Sequence, residues 1–141
     1  AAELVDTVGE AAERHCGGRN ITIRRSCPDD LQCVCDFEQM RRALENIAIN
    51  AIDACGDSGE IEIVAERSGH GVHFSLHDSG GGIRDDVLPK IFDPYVTTKD
   101  NGTGLGLSEA HRIAVAHGGR IQAVNEDGGA LFTISLPGEK Q

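Results

Sequence analysis

The sequence predicts a two-layer α/β (α+β) sandwich, a mixed and largely antiparallel sheet of about five strands with three main helices on one face. Segments such as "EIEIVAER" and "GVHFSLHD" alternate apolar and polar residues with period two. Others, such as 36–55, repeat apolar residues every three to four positions. Breaks rich in Gly, Pro and Asp separate the two kinds, and no internal repeat or low-complexity stretch is present. At 141 residues the chain is one domain, long enough to bury a core.

The elements follow in order. Residues 3–15 place Leu4, Val5, Val8, Ala11 and Ala12 at helical spacing, and "CGGRN" ends that helix. "ITIRR" and "LQCVCD" read as two strands around the turn "CPDD", with Leu31, Cys33 and Cys35 on one face. From Asp36 to Cys55, Met40, Ala43, Leu44, Ile47, Ala48, Ala51 and Cys55 form one apolar stripe, and "GDSG" stops the helix. "EIEIVAER" and "GVHFSLHD" are strands joined near "SGHG", and "RDDVLPKIF" is a short helix interrupted by Pro89. "DPYVTTKDNGTG" is a polar loop, and 105–117 a second long helix stopped by Gly118–Gly119. "RIQAVNED" and "GALFTISLP" close the chain as a hairpin.

A net charge of −10 argues against nucleic acid or an acidic membrane as partner, since both need a basic face. A phosphate ligand would have to be held by backbone N–H groups and a metal ion. No run of about 18 apolar residues spans a membrane and no secretory leader is seen. The absence of an initiator Met suggests a piece of a longer chain. Five cysteines at irregular spacing read as reduced, buried thiols. A zinc site from His15, Cys16, Cys27 and Cys33 has no recognisable ligand spacing.

Three constellations carry chemistry, each with a plain structural alternative. Arg42, Asn46, Asn50 and Asp53 fall on one stripe of the helix 36–55, apart from the apolar one. They are either a solvated face or a site in which an Asn carbonyl, a hard oxygen, meets magnesium and phosphate. In "NGTGLGLS", Gly102, Gly104 and Gly106 alternate at a helix start. They form either a hinge or a place where phosphates meet unpaired N–H groups. The run is neither a Walker A motif nor a dinucleotide fingerprint. Asp78, at a strand end before three glycines, either caps a turn or accepts a hydrogen bond from an exocyclic amine such as adenine N6.

Four stretches in this order resemble the N, G1, F and G2 boxes of the catalytic, ATP-binding domain of bacterial two-component sensor histidine kinases, a GHKL-superfamily domain. They are "LENIAINAIDA" (44–54), "DSGGGI" (78–83), "KIFDPYVTTK" (90–99) and "GTGLGLS" (102–108). "DFEQMRRALEN", "HGGRI" and "FTISLP" look like the flanking segments, and the short lid is most like the nitrogen-regulation branch. The resemblance implies the Bergerat-type ATP-binding sandwich, with 1–18 as the end of a linker from an upstream dimerisation domain and 19–141 as the catalytic domain.

By the same resemblance ATP and Mg2+ are the expected cofactors. Asn50 matches the magnesium ligand, and Asn46 its companion beside the metal-bound phosphates. Asp78 matches the adenine-reading aspartate, with Gly80 and Gly82 as pocket glycines and Ile83 beside them. Phe92 belongs to the F box, and Lys99 is a γ-phosphate contact that shares the catalytic role with Asn46. Gly102, Thr103, Gly104, Leu105, Gly106 and Leu107 make up the lid and the helix start behind it. Asp53 stands where many members carry a phosphate-contacting Lys, Tyr95 where a second Phe is common, and Ala130 where many have Thr near the adenine aspartate.

The implied reaction moves the γ-phosphoryl group of ATP to a histidine on a separate helical dimerisation domain, with a response regulator downstream. None of His15, His70, His73, His77, His111 and His117 has the phosphoacceptor context, so the fragment is expected to lack its substrate histidine. The parent is expected to work in the cytoplasm, membrane-anchored or soluble, and the isolated domain to be monomeric without direct membrane contact. An anti-sigma-type serine kinase or ATPase on the same fold, or a non-catalytic scaffold domain, are the other readings.

Overall fold

The computed structural model describes residues 1–69, 71–94 and 106–137. Along the chain run α1 (Ala2–Cys16), β1 (Asn20–Ser26), α2 (Phe37–Cys55), β2 (Ser58–Ser68), β3 (Gly71–Asp78), a single 3-10 turn (Leu88–Lys90), α3 (Gly106–Ala116), β4 (Arg120–Glu126) and β5 (Gly129–Leu136). The sheet order is β1-β2-β3-β5-β4, with β1 parallel to β2 and every other pair antiparallel. The expected mixed sheet with helices on one face is therefore present.

Alternation along the strands decides which face the helices cover. Ile61, Ile63 and Ala65 of β2, Phe74 and Leu76 of β3, and Phe132 and Ile134 of β5 are buried together. The register sets Phe74 opposite Ile134 and Leu76 opposite Phe132, so large side chains meet across strands. The outward residues are polar and bond to one another: Ser135 Oγ to His73 Nδ1 at 2.8 Å, and His77 Nε2 to the Glu126 carbonyl at 2.8 Å. That face needs no second layer of helices.

α2 is the spine of the helical layer. Asp36 caps it, its Oδ1 accepting from Gln39 N–H at 3.0 Å, worth about 1 kcal/mol. Met40, Ala43, Leu44, Ile47, Ala48 and Ala51, all on the stripe read from the sequence, are buried, and Ile52 joins them. Burying each larger side chain contributes roughly 1.5–3 kcal/mol. α1 adds Leu4, Val5, Val8 and Ala12 to the same core. Arg25 of β1 ties its outer face through ion pairs to Asp6 and Glu13, and Arg24 pairs with Glu60 of β2. Among the described residues no helix is long and apolar enough to cross a membrane.

Two expectations are corrected. "LQCVCD" forms no strand: residues 27–36 run without a ladder from β1 to α2. Its alternation is real in burial, with Leu31 buried, Cys33 and Cys35 half-buried and Val34 exposed. The segment meets the core with alternate side chains while its backbone pairs elsewhere, as when Asp36 N–H donates to His117 Nε2 at 3.0 Å. "RDDVLPKIF" contributes only the 3-10 turn, with Pro89 in its first positions.

The cysteines are free thiols, and the described residues bring no group of three or more His, Cys, Asp or Glu together for a metal ion. Burial pushes the Cys16 and Cys27 thiols up. The Cys33 thiol beside it holds the Cys35 thiol down at about 7, while Cys33 is driven upward. A lowered thiol carries more of the reactive thiolate at neutral pH. Iodoacetamide at pH 7 is expected to label Cys35 first, and Cys33→Ala to slow it. Peptide mapping showing equal labelling of all five thiols would contradict the pairing.

Candidate active site

β3 keeps its inward parity to its last residue, which turns Asp78 toward the covered face behind Val72, Phe74 and Leu76. Asp78 is 1% exposed and is the one buried charged residue among those described. Burial pushes its carboxyl above the ordinary range, opposed by backbone N–H groups of Gly80 and Ala130. Both bond to the same oxygen, Oδ1, at 2.8 and 3.5 Å. Oδ2 takes no hydrogen bond from the described residues, and no fully buried side-chain oxygen is left unpaired among them. Oδ2 therefore keeps a little accessible surface among the described residues, as an acceptor.

Two glycines make this arrangement possible. A Cβ on Gly129 would fall 1.5 Å from the Asp78 carbonyl oxygen, and one on Gly80 2.7 Å from the Ala54 carbonyl at the end of α2. The rest of the turn is sewn down. Ser79 exchanges bonds with Glu60, Gly81 N–H donates to the Gly128 carbonyl at 3.1 Å, and Asn125 grips Ile83 through both its N–H (2.7 Å) and its carbonyl (2.8 Å). Gly82 lies against that same Asn125 amide. Phe92, half-buried, packs edge-on to Phe132 with centroids 6.1 Å apart and stacks on His111 at 5.8 Å.

The polar stripe of α2 meets the start of α3. Asn46 Nδ2 donates to the Gly106 carbonyl at 3.1 Å, fixing the start of α3 against α2. Arg42 reaches Glu109 of α3 at 3.4 Å. Asn50 is half-buried one turn further on, and its side chain has no hydrogen-bond partner among the described residues. Asp53 is met by Arg19 at 3.2 Å and His15 at 3.4 Å. Leu107 points into the core and can meet a ligand only through its backbone. Lys99, Gly102, Thr103, Gly104 and Leu105 lie outside the described residues, as do Tyr95 and His70.

The structure thus forms two groups: Asn46 with Gly106 where the middle of α2 meets α3, and Asp78, Gly80, Gly82 and Ile83 on the turn after β3 beside the end of α2. Sequence reading missed Asn125, Gly129, Arg19 and His15. "NEDGG" signals only a hairpin turn, and nothing local links Arg19 to a residue 34 positions away. Ala130 was noted for the side chain it lacks, yet its N–H helps hold Asp78. His15, His73, His77, His111 and His117 all have hydrogen-bonding or stacking partners.

Because burial raises the folded-state pKa of Asp78, its ionised form costs stability above that pKa, and the cost vanishes as pH falls below the ordinary carboxylate value. Asp78→Asn is expected to raise Tm by a few degrees at pH 7. The advantage should shrink as pH falls through the Asp78 titration, measured as paired melts from pH 7 to 4. A mutant that melts lower at pH 7 would contradict this.

Residues 35–140 match the family described as histidine kinase-, DNA gyrase B-, and HSP90-like ATPase. The chain is 42% identical over 136 residues to sensor histidine kinase ZraS of Escherichia coli (strain K12), covering 95% of this chain and 29% of ZraS. Its structure resembles the nucleotide-free catalytic domain of histidine kinase ThkA, with a TM-score of 0.88, 35% identity and coverage of 96% of this chain and 91% of that one. It also resembles full-length ShkA in complex with AMPPNP, with a TM-score of 0.85, 30% identity and coverage of 96% and 29%. The chain spans less than a third of the length of ZraS. By sequence and by fold it belongs to the histidine kinase-, DNA gyrase B- and HSP90-like ATPase family, as the catalytic domain of a sensor histidine kinase.

Proposed function

We propose that this domain binds ATP with Mg2+ between α2, the turn after β3 and the start of α3, and donates the γ-phosphoryl group to a histidine on a helical dimerisation domain of its parent protein. One observation carries the base-reading part: Asp78 has one oxygen pinned by two N–H groups and the other left as an acceptor with a little accessible surface. An acceptor there suits the exocyclic amine of adenine and rejects the carbonyl of guanine. Gly80 and Gly82 let the turn pack against Ala54 and Asn125, which holds the wall beside Asp78 in place.

The donor set fits Mg2+ of the kind that keeps several waters and bridges phosphates. Asn50 offers an uncommitted carbonyl oxygen on a half-buried face, without a carboxylate cage. When bound, Mg2+ would neutralise phosphate charge and help align the triphosphate for in-line transfer. Asn46 would hold the phosphate end through its link to Gly106, while Lys99, Gly102, Thr103, Gly104 and Leu105 of the lid would face the phosphates. Phe92, anchored on Phe132, would set where the segment leading to that lid begins. Asp53 borders this site rather than supplying the cation a lysine would.

The acceptor histidine is expected on another domain, since the five described histidines are engaged in structural contacts. The parent is assigned to cytoplasmic two-component signalling, with a response regulator receiving the phosphoryl group. We assign residues 19–141 to the catalytic domain and 1–18 to the segment entering it, and expect the isolated domain to be a monomer free of membrane contact.

Millimolar Mg-ATP is expected to raise Tm and Mg-GTP to raise it far less. Asn50→Ala should remove the magnesium-dependent part of the shift, and Asp78→Asn, which turns the open acceptor into a donor, should remove the ATP shift. Equal shifts with ATP and GTP, or an unchanged Asn50→Ala response, would contradict the reading. With labelled ATP the domain alone should stay unlabelled, while the parent's helical domain supplied in trans should acquire an acid-labile phosphohistidine.

A further inference from the structure

Asp53 sits one turn beyond Asn50 on the polar stripe of α2, a carboxylate beside the surface assigned to a polyphosphate. A domain with net charge −10 gains nothing from a further anion there. The last turn of α1, with His15, and the turn into β1, with Arg19, deliver two basic side chains to it from distant sequence. Arg19 Nη1 donates to Asp53 Oδ1 at 3.2 Å, and His15 Nε2 lies 3.4 Å from the same oxygen. The backbone holds that turn in place: Arg19 N–H donates to the Cys16 carbonyl at 3.0 Å, and Asn20 N–H to the Asp57 carbonyl just past α2 at 2.8 Å. The main chain thus fixes where the Arg19 side chain starts, and the contact itself is made by partly exposed side chains.

We propose that Arg19, with His15 beside it, is an electrostatic positioning residue for the nucleotide: it neutralises Asp53 so that the triphosphate can settle next to Asn50. The inference rests on the nucleotide reading above. As an ordinary surface ion pair, with the guanidinium 37% and the carboxylate 26% exposed, Arg19–Asp53 contributes little to folding. Its effect falls on the ligand, because removing one cation from beside a carboxylate near several phosphate charges strengthens the repulsion with each of them. The effect must therefore grow with the number of phosphates, unlike that of a residue that merely props up the fold.

The experiment is calorimetric titration of the wild-type domain with Mg-ATP, Mg-ADP and adenosine, repeated for Arg19→Ala, Arg19→Lys, Asp53→Asn and Arg19→Ala/Asp53→Asn, with a melt of each protein. Arg19→Ala is expected to weaken ATP roughly three- to tenfold, the size of one partly exposed charge, ADP less, and adenosine not measurably. Arg19→Lys should keep most of the affinity, Asp53→Asn should tighten ATP, and the double variant should recover the Arg19→Ala loss. Unchanged ATP binding in Arg19→Ala, an equal loss for adenosine, or a loss that persists in the double variant each overturns the proposal. Failure of the wild-type domain to bind Mg-ATP at all would overturn the nucleotide reading itself and is seen in the first titration.

Discussion

A carboxylate enclosed by hydrocarbon is the constraint around which this domain is organised. Placing Asp78 at the inward end of β3 carries a desolvation cost that only close, fixed donors can offset. Those donors are backbone N–H groups from two elements, Gly80 on the following turn and Ala130 at the start of β5. Their approach requires backbone without side chains at Gly80 and Gly129, the latter almost touching the Asp78 carbonyl. The central pairing of β3 with β5, the glycine turn and the end of α2 are thus locked to one side chain. That side chain is the one proposed to read the base.

The second organising element is a helix with two jobs. α2 presents an apolar stripe to the sheet and a polar stripe to α3, which is docked to it through those polar residues. Asn46 joins the Gly106 carbonyl and Arg42 joins Glu109. The helix that anchors the core thus also fixes where α3 starts. Phe92 extends the coupling to the segment after the 3-10 turn, since its partner His111 rides on α3.

Much of this was legible in the sequence, for reasons that differ by element. α2, the strands β2 and β3 and the closing hairpin are marked by periodicity sustained over seven or more residues, which a single packed face enforces. Asn46, Asn50 and Asp78 were legible because their spacing along a helix or parity along a strand is a local property. "LQCVCD" misled because alternate burial can arise without a ladder, and sequence reports burial rather than hydrogen bonding. Asn125, Gly129 and Arg19 were invisible because each acts on a residue 34 to 52 positions away, a relation created by the fold.

The open sheet ends in β1 on one side and β4 on the other, and an unpaired edge can recruit any extended chain. Here β1 carries Arg24 and Arg25, committed to Glu60 and to Asp6 and Glu13, while β4 shows Arg120, Gln122, Asn125 and Glu126. Another strand seeking to join either border would have to strip water and counter-charges from these side chains before gaining its first backbone bond. The domain can therefore be held beside copies of itself, or crowded in a cell, without its borders fusing into a continuous sheet. Resistance to edge pairing at β1 is written into the same Arg25 that braces α1.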